Sequence, residues 1–456
     1  MQMPVDIGKI HFVGVGGIGM SGIAEILVNL GYEISGSDIN ESDTTKRLAD
    51  KGVKIFIGQK SENVIGANAV VVSTAIKPDN PEYVSAKKNN IPIVHRSEML
   101  AEVMRLRLSI AIAGTHGKTT TTTLVAHALS EADMQPTVIN GGIINKFGSN
   151  AKLGEGKWLV AEADESDGSF TRLPATIAVV SNIDAEHLDF YGDFDAVKEA
   201  FYRFVENIPF YGVAILCTDN EEVKKLRLQI DNRRIVTYGF NNQADVRAEN
   251  VRSDENGTTF DVVLKDETIK DIFIPIHGEH NIQNTLASIA VALEVGVETK
   301  KIQKLYEKFN GVKRRFTNTG TLNGARVIDD YAHHPVEIKA TLQAGRSGTT
   351  GKVHAIMQPH RYTRLQSLFD DFATCFDDAD NVHIIPVYSA NEDEIDGINS
   401  KSLTENIITS GHSNASFCDS FDKLKSVLSK SVDKDDIVIF MGAGDITKWA
   451  YQITDD

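Results

Sequence analysis

The chain has 456 residues, 41% of them hydrophobic and 24% charged, a globular composition too long for one ordinary core, so two or three domains are expected. A formal net charge of −16 excludes a protein that holds nucleic acid or an anionic membrane by its overall field, so any phosphate-bearing ligand must be gripped by local donors. The widely spaced Cys217, Cys375 and Cys418 exclude a disulfide scaffold and a cysteine zinc site, and with no leader pattern and no apolar run of about 18 residues a cytoplasmic protein is expected.

The first hundred residues alternate β-rich runs at 9–15, 32–37, 53–57, 69–74 and 91–95 with helix-patterned stretches such as 18–30 and 81–89. That rhythm predicts βαβ units and a parallel sheet. A new strand, loop and helix begins at Ser109, and strands at 158–163, 177–183 and 213–217 continue the series. From 235 to 276 the pattern turns to alternating β-branched segments, including 258–264 and 269–275, which predicts an antiparallel addition to the central domain. Helices are expected at 281–294 and 301–309. A further α/β series follows, with strands at 326–328, 353–357, 383–387 and 437–441. The segment 345–351, GRSGTTG, reads as a flexible surface loop. Boundaries near Arg107 and Val312 give domains 1–107, 108–312 and 313–456.

Residues 11–22 read HFVGVGGIGMSG, with Gly14, Gly16 and Gly19 in a G-x-G-x-x-G set after a strand and opening a helix. Such glycines let the backbone approach a diphosphate seated on helix N–H groups and the positive end of the helix dipole. Asp38 ends the next strand, where an acidic residue meets a ribose or base in such folds. Taken alone, the motif favours a nicotinamide cofactor, then another nucleotide diphosphate, then a tight turn without ligand.

Residues 109–123 read SIAIAGTHGKTTTTT. In the loop Gly114, Thr115, His116, Gly117, Lys118, Thr119, Thr120, backbone amides suit phosphates, the lysine suits β/γ oxygens, and a hydroxyl beside it suits Mg²⁺. Two residues separate the glycines instead of the usual four. Strand, Gly-Lys-Thr and helix in that order still point to phosphate rather than to a threonine-rich helix start. Magnesium needs more hard oxygens. AEADESD at 161–167 clusters Glu162, Asp164, Glu165 and Asp167 at a strand end, either as ligands or as a solvated acidic turn. His187, in NIDAEHLD, reads by itself as a surface or packing residue.

These strings, with GEHNIQN (278–284), KRRF (313–316), DDYAHHP (329–335) and QPHRYTR (358–364), stand in the order found in the Mur ligases. The chain resembles that family over essentially its whole length, and most closely its alanine-adding branch. The resemblance implies three α/β domains: an N-terminal Rossmann-like UDP-binding domain, a central P-loop ATPase-type domain and a C-terminal Rossmann-like domain. It implies ATP-dependent ligation of L-alanine to the lactyl carboxylate of UDP-N-acetylmuramate through an acyl phosphate, in peptidoglycan precursor synthesis.

The same resemblance makes Gly16, Gly17, Ile18, Gly19, Met20 and Ser21 diphosphate contacts, Asp38 a uridine contact and Ser73 a neighbour of that substrate. Lys118 would bind ATP phosphates, and Thr119, Glu162 and His187 would hold two Mg²⁺ ions. Asn281 and Asn284 match the adenine-contacting pair, which otherwise read as helix caps. Arg315 matches an ATP-contacting arginine, with Lys313 and Arg314 beside it reading as a solvated basic run. Asp330 matches a ribose neighbour, with Asp329 competing. Tyr331, His333, Arg361 and Arg364 match the amino-acid site, where two arginines suit a carboxylate and His333 would orient or deprotonate the amine. Several Mur ligases carry a carbamylated lysine where this chain has Phe201 or Tyr202, a difference shared by the alanine-adding branch. A monomer or homodimer is expected, with no nucleic-acid or membrane partner. The rivals are a muropeptide-recycling ligase that takes a tripeptide, a nicotinamide-dependent oxidoreductase, and a non-catalytic ATP sensor.

Overall fold

The structure, a computed structural model, describes residues 7–254 and 256–454. Three sheets carry it. The first holds β1 (Ile10–Val13), β2 (Ile34–Asp38), β3 (Lys54–Ile57), β4 (Ala69–Val72) and β5 (Ile93–His95), all parallel, in the order β3-β2-β1-β4-β5. β1 reads IHFV and is buried along its whole length, as a strand covered on both faces must be. The chain order reverses on either side of β1, so the loop leaving β1 opens into a crevice at the strands' C-terminal ends. The helix Ile18–Asn29 starts there.

The second sheet comprises β6 (Leu108–Ala113), β7 (Thr137–Ile144), β8 (Ser149–Lys152), β9 (Trp158–Glu162), β10 (Ile177–Val180), β11 (Val213–Cys217), β12 (Arg234–Gly239), β13 (Val246–Asp254), β14 (Gly257–Val263) and β15 (Thr268–Ile274). Its order is β15-β14-β13-β12-β11-β10-β6-β9-β7-β8. The pairs from β12 through β11, β10, β6 and β9 to β7 are parallel, and β8 runs antiparallel to β7. β6 is the second reversal point, flanked by β10 and β9, and the helix Lys118–Glu131 follows its loop.

The third sheet comprises β16 (Thr317–Leu322), β17 (Ala325–Asp330), β18 (Val353–Met357), β19 (Asn381–Ile384), β20 (Ala415–Phe417) and β21 (Ile437–Met441), in the order β16-β17-β21-β18-β19-β20. Only β16 pairs antiparallel. The three α/β domains expected from the resemblance are therefore present.

The chain divides into two compact units. The first is Met1–Glu249, Asp261–Ile272 and Gln283–Phe309; the second is Asn250–Phe260, Phe273–Ile282 and Asn310–Asp456. In the first, one continuous apolar cluster runs from Ile10, Phe12 and Ile23 through Ala111 and Ile139 to Phe170, Phe201 and Phe204. In the second, Ala355 and Met357 pack into one cluster and Ile356 into another, the alternation that gives a sheet two covered faces.

Three sequence expectations are corrected. The segment 345–351 is not all loop: the helix Pro335–Ser347 includes a buried Gly345 that backs onto Ile439, a close approach that the missing Cβ permits. The helix expected at 301–309 shrinks to Thr299–Ile302 followed by turns. β7 and β8 were not anticipated, because TVINGGII and SNAK carry Asn and Gly where β-formers would be read. Among the described residues no helix is long and apolar enough to cross a membrane.

Candidate active site

The first glycine loop lines a cleft of about 740 Å³ in the first unit. Gly14, Gly16, Gly17, Ile18, Gly19 and Met20 form one wall, with Asp38, Ser73, Arg96, Gly141, Glu162 and Asp164 around them. Gly14 has φ +76, a left-handed value suited to glycine. Gly16 donates its N–H to Asp38 Oδ2 at 2.9 Å, so Asp38 fixes the loop as well as facing the cleft. Ser21 is buried on the helix, its hydroxyl donating to Ile18 O.

The second loop is held by the segment after β10. Thr115 N donates to Asn182 O at 3.1 Å, His116 N donates to Asn182 Oδ1 at 2.7 Å, and Ser181 Oγ donates to His116 O at 2.9 Å. Gly114 and Gly117 both have positive φ, at +141 and +80. Lys118 Nζ lies 2.6 Å from Gly114 O, 3.0 Å from Thr115 O and 2.7 Å from Glu165 Oε1. Burial by itself would lower this ammonium, but Glu165, Glu162 and Asp164 outweigh it and hold Lys118 above its usual range. Thr119 is buried in the first helical turn, and Thr120 is half-buried beside it. Asn284 Oδ1 accepts from Thr121 Oγ1 at 2.9 Å.

His187 takes a left-handed backbone (φ +57), and its Nε2 lies 3.7 Å from Glu165 Oε1 and 3.8 Å from Glu186 Oε2. Glu162 accepts the N–H of Gly141 at 2.8 Å. Glu165 Oε2 is buried with no hydrogen-bond partner, an orphaned oxygen that a cation beside it would satisfy. Phe201 packs 5.1 Å from Phe170 in the core and brings no charge to the position of the absent lysine.

In the second unit, Tyr331, His333, His360, Arg364 and Tyr388 gather beyond the C-terminal ends of β17, β18 and β19. The ring of His333 lies 5.3 Å from Tyr331 and 6.0 Å from His360, and His360 stacks on Tyr388 at 5.5 Å. Arg364 Nη1 reaches His360 Nδ1 at 3.2 Å. Burial, then the charges of His333, Arg364 and Arg361, push His360 down to about 4. Arg361 has φ +70 and donates its N–H to Tyr388 O. Both Arg314 and Arg315 lie over the Tyr331 ring, at 4.8 and 5.3 Å. Arg314 also donates to Gly442 O at 2.6 Å, so it is no solvated run. Asp330 is buried, its oxygens accepting from Phe316 N, Ala332 N and Thr341 Oγ1, while Asp329 accepts from Thr447 Oγ1. Asn281 donates to His277 O at 2.7 Å. His334 is the N-cap of Pro335–Ser347 and forms a capping box with Glu337.

Family models match nearly the whole chain: the Mur ligase catalytic domain over residues 9–107, the middle domain over 112–292 and the glutamate ligase domain over 314–444. The chain belongs to the Mur ligase family. It is 54% identical to a UDP-N-acetylmuramate–L-alanine ligase from Brucella anthropi, across 99% of this chain and 98% of that one. The crystal structure of a UDP-N-acetylmuramate–alanine ligase from Thermotoga maritima superposes with a TM-score of 0.83 at 30% identity, covering 98% of both chains. A murein peptide ligase from Psychrobacter arcticus shares the fold at TM-score 0.71 and 24% identity, covering 98% of this chain and all of that one.

The sequence pattern singles out the loops but gives no notice of Arg96, His360 or Tyr388, reads Arg314 as solvated, and does not choose Glu165 among the four acidic residues. The one signal for Arg96 is its place just after β5, at a parallel strand's C-terminal end. Nothing local marks Tyr388.

Proposed function

We infer that this protein is an ATP-dependent ligase that joins L-alanine to the lactyl carboxylate of UDP-N-acetylmuramate in peptidoglycan precursor synthesis. One observation carries the reading. Glu162 and Asp164 line the cleft of the first glycine loop, and Glu165, the next residue, accepts from Lys118 Nζ at 2.7 Å, so a UDP-sugar there would lie next to the γ-phosphate end of ATP. The carboxylate oxygen attacks the γ-phosphorus, ADP leaves, and an acyl phosphate remains. The neutral amine of L-alanine then attacks the acyl carbon and phosphate departs. The first step is needed because a carboxylate oxygen is a poor leaving group.

In this reading Gly16 to Ser21, Asp38 and Ser73 hold the UDP-sugar. Gly114 to Thr120, Asn281, Asn284, Arg315 and Asp330 serve ATP, with Lys118 neutralising its phosphate oxygens. Thr119, Glu162 and His187 would hold two Mg²⁺ ions, which supply charge neutralisation when bound, and the orphaned Glu165 oxygen suits the same neighbourhood. Tyr331, His333, Arg361 and Arg364 receive L-alanine, with His333 orienting its amine. We place the domain boundaries near Arg107 and Val312, and the protein in the cytoplasm as a monomer or homodimer without nucleic-acid or membrane partners.

The test is phosphate release from ATP and Mg²⁺ with UDP-N-acetylmuramate, with and without L-alanine. Release that requires both substrates is expected. Release with a muropeptide tripeptide but not with L-alanine would move the chain to the recycling activity and undo the acceptor-site assignment.

A further inference from the structure

The cleft of the first glycine loop has an electrostatic problem. Three carboxylates, Asp38, Glu162 and Asp164, line it, and the whole chain carries a net charge of −16, yet a UDP-sugar must bring a dianionic diphosphate into it. Helix N–H groups and the dipole of Ile18–Asn29 offset part of that repulsion. Among the described residues lining the cleft, one side chain is cationic: Arg96.

Arg96 begins the helix Arg96–Arg105, directly after β5. Its guanidinium lies across the first turn of Ile18–Asn29, so close that a Cβ on Gly19 would come within 2.9 Å of Nη1 and 3.1 Å of Cδ. Gly19 therefore does more than admit a phosphate: it leaves room for an arginine beside the loop. The other end of the guanidinium is engaged, Nη2 donating to Asp164 Oδ2 at 3.1 Å. Asp164 is itself anchored, its Oδ1 accepting from Ser166 N at 3.1 Å, and its side chain is 43% exposed, so it can rehydrate if its partner is taken away.

We propose that Arg96 is the diphosphate-binding cation of this cleft and that Asp164 holds it in register until the diphosphate arrives. The inference rests on the UDP-sugar reading above and deepens it. Arg presents N–H donors in a planar fork that matches paired phosphate oxygens better than a single carboxylate oxygen on a half-exposed side chain. Binding is then an exchange: the guanidinium passes from Asp164 to the diphosphate, and the released carboxylate becomes hydrated beside Glu162. Asp164 thus competes with the substrate, and removing its charge must strengthen substrate binding even though a native ion pair is lost.

The experiment is calorimetric titration of the full chain with UDP-N-acetylmuramate in the absence of ATP, and separately with ATP and Mg²⁺. Wild type, Arg96→Gln, Arg96→Lys and Asp164→Asn are compared. Wild-type binding of the UDP-sugar is the control, and its absence would sink the parent reading and this inference together. Given that binding, Arg96→Gln is expected to weaken the UDP-sugar at least tenfold while ATP affinity stays within twofold, with Arg96→Lys between. Asp164→Asn is expected to tighten the UDP-sugar threefold or more, a change that loss of a merely structural ion pair would not produce. Unchanged UDP-sugar affinity in Arg96→Gln, equal weakening of both ligands, or weaker UDP-sugar binding by Asp164→Asn would each overturn the inference while leaving the ligase reading intact.

Discussion

Lys118 shows how a single residue is prepared for its work. Two carbonyls of its own loop and the buried Glu165 hold the ammonium, and the surrounding carboxylates keep it charged. ATP phosphates would meet a cation already positioned, which is worth more than one that must be ordered on binding. Lys118→Ala is expected to lower turnover by at least about a hundredfold to a thousandfold, the scale seen when one preorganised charge-stabilising donor is lost. Binding of the UDP-sugar should be nearly unchanged, since Lys118 does not line that cleft. Phosphate release and equilibrium titration check the two halves, and ADP formation at the wild-type rate would show that the loop assignment is wrong. His187 was unremarkable as a letter in the sequence. Its left-handed backbone and its approach to Glu165 single it out in the fold.

At the scale of elements, glycine carries two different meanings in this chain. In 345–351 the letters suggest a loop, yet Gly345 is a packing residue of Pro335–Ser347 against Ile439. A Gly345→Val substitution would overpack that contact and is expected to cost about 1–3 kcal/mol. Urea unfolding measures this, and an unchanged midpoint would return the segment to the loop reading. Strands buried on both faces, such as IHFV and IVIFM, were legible because an apolar run bounded by turns has few other uses. β7 and β8 were not legible, since their pairing with β9 and with each other comes from neighbours, not from propensity. The expected helix at 301–309 fails for a related reason: Tyr306 and Phe309 are buried through turns rather than along a helix face.

Across the molecule, burial disfavours charged histidine in both units, lowering His127 in the first and His354 in the second. Burial pushes His280, His360 and His383, all in the second unit, down to about 4 from an ordinary 6.5. A histidine with a depressed folded pKa is neutral in the fold and takes up a proton more readily when unfolded. Its contribution to stability is therefore full above about pH 6.5 and is lost as pH falls toward 4. Trp449 lies in the second unit and Trp158 in the first, so a Trp158→Phe background lets fluorescence follow the second unit. In that background the unfolding midpoint is expected to depend less steeply on pH between 6.5 and 4 once His383→Gln removes one such group. Equal slopes in the two proteins would mean that His383 is not held neutral.

What the sequence alone determined was whatever depends on near neighbours. Strand and helix periodicity, the two glycine loops at strand ends, the acidic run after β9 and the class of fold all follow from residues within a few positions of one another. The tertiary structure decided which of these meet. Arg96 finds Asp164 across 68 residues of chain and Lys118 finds Glu165 across 47. His360 stacks on Tyr388 where a bridge joins two loops. The physical reason is the parallel sheet: it sets the C-terminal ends of its strands side by side, and strand order, which no local pattern records, selects the loops that share a crevice.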